Sequence, residues 1–233
     1  MPERVTFQTS DKVEIVADHY RSRGEKFVIL LHMMPATKES WHDFAAKLIA
    51  SGYDVLALDE RGHGESTMSG KLDYKKFGEK EQQAKMLDVE AAFAFLSRGA
   101  GSLPAGRHGR LAGKGEGATE ENTIVGGASI GANLAIGFLV AHPGTKLALA
   151  LSPGLNYRGV TTDGRIKKLH PGQKVVLVAS DDDDRDSAES CRELHRLNPE
   201  QTVLIEKKGL GHGTTMFEKD SKLMDELLSY LSF

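Results

Sequence analysis

The stretch that decides the fold lies at the centre of the chain and reads Asn122-Thr123-Ile124-Val125-Gly126-Gly127-Ala128-Ser129-Ile130-Gly131. A short β-branched run leads into the serine, and a small-residue amphipathic run follows it, so the pattern predicts a strand, a sharp turn and a helix. Glycines two positions before and after Ser129 remove Cβ atoms where the strand and helix backbones approach each other. The turn leaves the hydroxyl exposed, which makes Ser129 the candidate nucleophile.

Short apolar runs on both sides of this stretch predict strands that are buried on both faces of a sheet. They cover residues 27–31, 55–58, 123–125, 147–151, 175–179 and 203–205, and an opening hairpin of 5–9 and 13–20 precedes them. Helical patterns separate most of these strands, at 40–51, 78–98, 130–141, 187–196 and 219–231. We therefore predict an α/β fold: a mostly parallel eight-stranded sheet with an antiparallel N-terminal hairpin and helices on both faces.

Length, charge and cysteine usage narrow the class of protein further. The 233 residues suit a single α/β domain over 1–233, and the formal net charge of −3 provides no cationic field for nucleic acid or anionic membrane surfaces. Cys191 is the only cysteine, which excludes an internal disulfide and fits a reducing compartment. With no apolar leader and no stretch of membrane-spanning length, we expect a cytoplasmic protein with no membrane partner. The composition leaves the oligomeric state open.

Residues 99–121 differ from the rest of the chain in composition. They carry many glycines with polar and charged residues, and Leu103 and Leu111 are the only large apolar side chains. A lid over an apolar substrate would present more Leu, Phe or Met, so we predict a flexible Gly-rich insert without a catalytic role.

A serine hydroxyl is a weak nucleophile at neutral pH and needs an adjacent base, which a third group orients. His212, in Gly209-Leu210-Gly211-His212-Gly213, follows the last predicted strand in a loop that can carry an imidazole over the sheet edge. It is the candidate base. His32 and His63 lie at strand ends and compete with it by location, whereas His195 is predicted to lie on a charged helix surface.

The orienting acid is expected in the loop after strand 175–179, which reads Ser180-Asp181-Asp182-Asp183-Asp184-Arg185-Asp186. Carboxylates this close repel one another, so we expect at most one to hold the base and the others to be solvated or paired. The loop lacks the alternate oxygen ligands, turn glycine and distal Glu of a calcium site. Neither a metal nor another cofactor is therefore expected.

The order of serine, aspartate and histidine resembles that of the α/β-hydrolase family, and two further motifs strengthen the resemblance. Leu30-Leu31-His32-Met33-Met34-Pro35 matches the family's oxyanion loop, and Asp59-Glu60-Arg61-Gly62-His63-Gly64-Glu65-Ser66 matches its D-x-R-G-x-G-x-S loop. The resemblance runs from end to end of the chain. It implies the small, cap-less serine esterase type, because only residues 152–173 stand where many members insert a helical cap.

The resemblance also implies the remaining site residues. The family's acid usually lies three residues after the small residue that ends its strand, which selects Asp183, with Asp184 and Asp182 as alternatives. One oxyanion donor is the backbone N–H of Ile130, which follows the nucleophile. By the same resemblance, the second oxyanion donor is the backbone N–H of Met34.

Met33 is the alternative to Met34 as donor, since the family commonly has glycine at position 33. Asp59 and Arg61 are interpreted as structural, because neither is needed to deprotonate a serine. Tyr157 and Arg158 in the short connection are predicted to be exposed loop residues.

An open site suits small acyl groups, so we predict hydrolysis of short-chain carboxylic esters through a Ser129 acyl-enzyme, with a small-molecule ester as the only partner. A thioesterase, an amidase or a small peptidase would use the same residues. A non-catalytic, hydrolase-like ligand-binding protein is the alternative from another class.

Overall fold

The computed structural model describes residues 1–98 and 117–231. The strands are Glu3–Gln8 (β1), Glu14–Tyr20 (β2), Lys26–Leu31 (β3), Tyr53–Leu58 (β4), Thr123–Ala128 (β5), Leu147–Leu151 (β6), Asn156–Tyr157 (β7), Val160–Thr161 (β8), Lys174–Ser180 (β9) and Thr202–Lys207 (β10). The α-helices are His42–Ala50 (α1), Glu79–Gln83 (α2), Met86–Ser97 (α3), Ile130–Ala141 (α4), Asp163–Ile166 (α5), Arg185–Leu197 (α6), Thr215–Lys219 (α7) and Lys222–Ser229 (α8). Two short 3-10 helices cover Lys38–Trp41 and Tyr74–Lys76.

Eight of the strands form one sheet in the order β1-β2-β4-β3-β5-β6-β9-β10. The β1–β2 and β2–β4 pairs are antiparallel, and every other pair in the sheet is parallel. The predicted eight-stranded sheet with an antiparallel N-terminal hairpin is thus confirmed. Because the carboxyl ends of the parallel strands share one edge, the loops that follow them gather there.

The central strands are apolar along their whole length because both of their faces are covered. In β3, Phe27, Ile29 and Leu31 join the core on one face, while Val28 and Leu30 join the core on the other. Helices α3, α4 and α6 cover the first face, and α1 and α8 cover the second.

Helix α4 begins unusually close to the sheet. A Cβ on Gly131 would lie 2.5 Å from the Leu31 carbonyl oxygen, and a Cβ on Gly127 would lie 2.1 Å from the Gly131 carbonyl oxygen. Real Cβ atoms do not approach backbone oxygens so closely, so both glycines of the central motif are required by packing.

Two local features differ from the predicted elements. The helix predicted over 78–98 is split into α2 and α3, because the backbone tightens between them: the Lys85 N–H donates to the Gln82 carbonyl at 3.2 Å and the Leu87 N–H to the Ala84 carbonyl at 3.0 Å. Residues 152–173 hold a hairpin of two-residue strands, β7 and β8, and the four-residue α5.

None of the helices within 1–98 and 117–231 combines the length and apolar character needed to cross a bilayer.

The Gly-rich insert predicted over 99–121 falls mostly outside the described residues, which resume at Gly117. Its final residues are packed against the domain. Ala118 is buried and its N–H donates to the Leu96 carbonyl at 3.2 Å, and Glu120 Oε1 lies 3.0 Å from His142 Nδ1. This end of the insert is therefore fixed to the end of α3 and to the residue that follows α4.

Replacing Gly131 with alanine tests the close approach of α4 to the sheet. Gly131→Ala should lower the free energy of unfolding by about 3 kcal/mol, because a methyl group cannot share the space of two strand carbonyls. Gly164→Ala is the matched control, since its added Cβ meets nothing within 4 Å. The control should be neutral or stabilising by up to about 1 kcal/mol. Urea denaturation of both variants measures the difference, and equal stability would contradict the packing argument.

Candidate active site

Ser129 lies at the turn between β5 and α4, in a backbone conformation that side chains rarely adopt. Its φ is 55° and its ψ is −121°, and its N–H donates to the Leu151 carbonyl at 2.8 Å. Such a conformation costs about 1–3 kcal/mol and persists only where the surroundings enforce it. The sequence predicted an exposed hydroxyl, but Ser129 is buried, with 8% of its surface exposed, at the carboxyl edge of the sheet.

The predicted base meets a carboxylate at the same edge. His212 follows β10, and Asp184 follows β9, the parallel neighbour of β10. His212 Nδ1 lies 2.8 Å from Asp184 Oδ2, a normal distance for a hydrogen bond between an imidazole N–H and a carboxylate. The neighbouring strand ends thus supply an imidazole with an orienting acid.

The structure places Asp184, and not the predicted Asp183, against His212. The chain turns sharply after β9, where the Asp184 N–H donates to the Ser180 carbonyl at 3.0 Å, and this turn returns residue 184 to the sheet edge. Asp183 Oδ2 instead accepts the Gly211 N–H at 2.8 Å and lies 3.4 Å from Lys219 Nζ. Asp182, the other alternative, accepts the Gly209 N–H at 2.6 Å.

Asp184 is held in its charged form. Burial acts to raise its pKa, but the His212 imidazole and the Ser152 hydroxyl outweigh burial and keep the pKa of Asp184 below its usual value. Ser152 also accepts the N–H of Gly213 at 2.9 Å, so it connects the end of β6 to the histidine loop. The sequence offered one signal for Ser152, its position directly after a buried strand at the reactive edge.

The histidine loop passes directly beside the Ser129 turn. A Cβ on Gly213 would lie 3.2 Å from the Cβ of Ala128, the residue before Ser129. In the described part of the chain His212 makes no hydrogen bond to Ser129 Oγ; catalytic contacts of this kind are often long before substrate binds.

Tyr157 lies beside Ser129 and His212, although the sequence predicted that it would be an exposed loop residue. Its hydroxyl lies 3.0 Å from Ser187 Oγ and 3.3 Å from the Ser152 carbonyl oxygen, and its ring centre is 6.4 Å from that of His212. Burial raises the pKa of Tyr157, and the Ser187 and Ser129 hydroxyls partly offset that effect. The β7–β8 hairpin thus forms a wall of the site.

Two backbone N–H groups are available at the positions predicted for the oxyanion hole. Ile130 is the first residue of α4, where an N–H has no partner inside the helix and the helix dipole favours negative charge. No backbone acceptor for the Met34 N–H is found among the described residues. The Ile130 N–H borders the Ser129 turn, and the start of α4 packs against the carbonyls of Leu31 and His32 at the end of β3.

His32 fixes the peptide that carries the Met34 N–H. Its Nε2 accepts the N–H of Glu60 at 3.0 Å, so in the neutral ring Nδ1 is protonated and donates to the Met33 carbonyl, also at 3.0 Å. A trans peptide directs its C=O and N–H to opposite sides. Holding the Met33 carbonyl therefore directs the Met34 N–H away from His32, and His32 acts as a support of the loop.

Solved structures with the same architecture cover nearly all of the chain. An esterase from Pyrococcus furiosus has a TM-score of 0.75 at 17% identity, with 99% of this chain and 89% of that chain covered. A predicted CIB-like hydrolase from Thermoplasma acidophilum has a TM-score of 0.71 at 18% identity, covering 99% and 98%. The thioesterase domain from the curacin biosynthetic pathway has a TM-score of 0.69 at 13% identity, covering 98% and 99%.

The chain has the α/β-hydrolase fold. No protein-family model matches the sequence, and no curated protein matches it either. The strand order and the turn at Ser129 thus identify the fold where sequence similarity does not.

Beneath the oxyanion loop, this α/β-hydrolase fold contains a buried polar cluster formed by Glu60, Lys85, His63 and Gln82. Lys85 Nζ lies 2.9 Å from Glu60 Oε2, and both side chains are fully buried. Gln82 Nε2 lies 3.9 Å from Met34 Sδ, which brings the cluster against the loop itself. Lys85 itself lies between α2 and α3.

His63, the other competing histidine, belongs to this cluster and not to the reactive edge. Its ring stacks on Tyr74 with centres 4.0 Å apart, and its Nδ1 lies 3.2 Å from the Arg61 carbonyl oxygen. Burial, with the charge of Lys85 and the proximity of His32, lowers the pKa of His63 to about 3. The ring is therefore neutral at physiological pH.

Asp59 and Arg61 make contacts of the structural kind expected for them. Asp59 accepts the N–H groups of Lys38 and Glu65, each at 2.9 Å, while Arg61 Nε donates to Asp88 Oδ1 at 2.8 Å. A Cβ on Gly64 would lie 2.2 Å from the Asp59 carboxylate, so the loop needs glycine there.

Cys191 is buried in α6, and burial raises the pKa of its thiol.

Across residues 1–98 and 117–231, no group of three His, Cys, Asp or Glu side chains is arranged to hold a metal ion.

The low pKa of His63 predicts a loss of stability in acid. The unfolded chain binds a proton near the ordinary histidine pKa of 6.5, whereas the folded chain resists it down to about 3. Unfolding therefore takes up a proton over this interval, and stability falls by up to about 1.4 kcal/mol per pH unit as the pH decreases. His63→Phe keeps a ring on Tyr74 and should reduce that slope.

Urea denaturation at pH 6.5, 5.5 and 4.5 measures the slope for the wild type and for His63→Phe. His170→Gln is the control, because the hydrogen bonds of His170 run through its main chain. Equal slopes for wild type and His63→Phe would contradict a buried neutral His63.

Proposed function

We propose that the chain is a serine hydrolase that cleaves short-chain carboxylic esters through an acyl-enzyme on Ser129. The observation that carries the proposal is the 2.8 Å contact between His212 Nδ1 and Asp184 Oδ2 beside the strained Ser129 turn. A nucleophile, a base and an orienting acid are the three groups that acyl transfer requires.

In the first half of the reaction, Ser129 Oγ attacks the ester carbonyl carbon while His212 Nε2 takes the hydroxyl proton. Asp184 holds the Nδ1–H tautomer and stabilises the imidazolium that forms. The N–H groups of Ile130 and Met34 stabilise the developing oxyanion, which is where electrostatic catalysis contributes most. The C–O bond then breaks, and the alcohol leaves with the proton from His212.

In the second half, a water molecule attacks the Ser129 ester. His212 takes a proton from the water, and the carboxylic acid product leaves as Ser129 regains its hydrogen. Acid and base roles alternate on the same imidazole, so no further titrating group is required.

The short connection between β6 and β9 supports a small acyl group. Only the β7–β8 hairpin and α5 occupy it, and Tyr157 closes one side of the site with an aromatic ring. A compact wall of this kind limits the size of the substrate group that lies against it. This preference and the assignment of Asp184 as the acid belong to the proposal.

A fluorophosphonate probe tests the nucleophile directly. The protein should form one covalent adduct, on Ser129, and Ser129→Ala should remove the adduct together with hydrolysis of p-nitrophenyl acetate and butyrate. Ser229→Ala is the control, since that exposed hydroxyl donates only to the Glu226 carbonyl. Peptide mapping by mass spectrometry locates the adduct, and an adduct elsewhere would overturn the mechanism.

The leaving-group class is tested on the same preparation. p-Nitrophenyl esters of increasing acyl length should show the highest kcat/KM at two to four carbons. Matched acyl thioesters separate an esterase from a thioesterase, an alternative that the similarity to a thioesterase domain favours. Higher kcat/KM for thioesters or for long chains would replace the proposed substrate class.

Asp184→Asn should lower kcat by about 10³- to 10⁴-fold, because an amide stabilises the wrong imidazole tautomer and does not stabilise the imidazolium. Asp186→Asn is a matched control two residues away, in the first turn of α6. Steady-state kinetics on p-nitrophenyl acetate distinguish them. Comparable losses at both positions would show that the loss follows the charge of the loop and not the contact with His212.

A further inference from the structure

The loop that carries His212 has little intrinsic rigidity. Gly209, Gly211 and Gly213 have φ values of 67°, 81° and 58°, in the left-handed region that favours glycine. Glycine at alternate positions gives the unfolded loop many accessible conformations, so ordering it has a large entropic cost. A general base must nevertheless be held within a fraction of an ångström of its working position.

The last residue of β9 and the loop after it contact four consecutive residues of the histidine loop, residues 209–212. Asp182 Oδ1 accepts the Gly209 N–H at 2.6 Å, and Ser180 Oγ accepts the Leu210 N–H at 3.0 Å. Asp183 Oδ2 accepts the Gly211 N–H at 2.8 Å, and Asp184 contacts His212 as described above.

We propose that Asp182 and Asp183 are positioning residues for His212, acting through the Gly209 and Gly211 backbone. The inference rests on the proposed function, since it assigns residues that serve the base. Each carboxylate accepts a different backbone N–H, and this separates the roles of neighbouring aspartates that would otherwise repel one another. Lys219 Nζ lies 3.4 Å from Asp183 Oδ2 and offsets part of the remaining negative charge.

Removing one of these acceptors frees part of the loop while leaving Ser129, His212 and Asp184 chemically unchanged. Asp183→Ala should therefore lower kcat about tenfold, the effect of losing one charge-assisted hydrogen bond. KM should change less than twofold, because Asp183 faces the loop backbone and not the site. Asp182→Ala should act in the same direction, and the double variant should lose more than either.

Asp183→Asn provides the rescue. Its amide oxygen can still accept the Gly211 N–H, so it should recover most of the kcat lost in Asp183→Ala. Lys219→Met separates the effect of the neighbouring cation, and Asp186→Ala is the control for removing a loop charge. If Asp183→Asn is as slow as Asp183→Ala while Lys219→Met is equally slow, charge pairing and not the backbone contact is responsible.

A measurement without turnover keeps the two proposals separate. In a Ser129→Ala background, hydrogen exchange of the Gly211 amide should accelerate about tenfold in Asp183→Ala. The downfield proton resonance of His212 Nδ1–H should broaden at the same time. Unchanged exchange, resonance and kcat in both Asp182→Ala and Asp183→Ala would overturn the positioning role and leave the serine mechanism intact. Retained activity in Ser129→Ala would overturn the serine mechanism. Hydrogen exchange of the Gly211 amide would still test whether Asp183 positions the histidine loop.

Discussion

The approach of helix α4 to the strand backbones is the constraint on which the rest of the site depends. Gly131 faces the carbonyl oxygens of Leu31 and His32 with no room for a Cβ, and Gly127 faces Gly131 itself. This contact forces the chain through the strained conformation at Ser129 and brings the first helical N–H groups to the end of β3. The Ser129 turn and the backbone N–H of Ile130 are therefore positioned by the same packing contact.

Polar support for that arrangement comes from inside the molecule. His32 Nδ1 donates a hydrogen bond to the Met33 carbonyl. The orientation of the His32 ring depends in turn on the Glu60 N–H, which donates to Nε2. Glu60 in turn is paired with Lys85. Buried ion pairs are weak sources of net stability, because desolvation offsets their Coulombic attraction. The loop of Met33 and Met34 thus lies above a fully buried pair that solvent screens little.

The sequence was sufficient for the parts of the fold that follow from periodicity. All eight strands of the sheet and helix α4 arise where apolar runs and small residues place them, and the G-x-S-x-G turn follows from glycine sterics. The split between α2 and α3 did not follow from periodicity, because it lies in a short stretch of i→i−3 backbone hydrogen bonds at Lys85 and Leu87 that the apolar pattern does not reveal. The β7–β8 hairpin has strands of two residues, too short to show any alternation.

Within the site, the positions of Ser129 and His212 at one sheet edge followed from strand order, but the aspartate did not. Four consecutive aspartates carry the same chemistry, and the turn after β9 decides which one faces His212. That turn depends on a backbone hydrogen bond between Asp184 and Ser180, which no side-chain pattern encodes. Tyr157 was missed for a related reason, since its burial depends on the packing of the hairpin.

The pairing of β10 with β9 has a consequence for the order in which the parts of the site are synthesised and assembled. Acid and imidazole come from the outermost parallel pair, contributed by the final quarter of the chain, whereas the Ser129 turn is built from strands near the middle. During synthesis Ser129 is therefore added to the chain before Asp184 and His212. In the proposed mechanism all three groups act together, so the site is complete only once β10 has paired with β9.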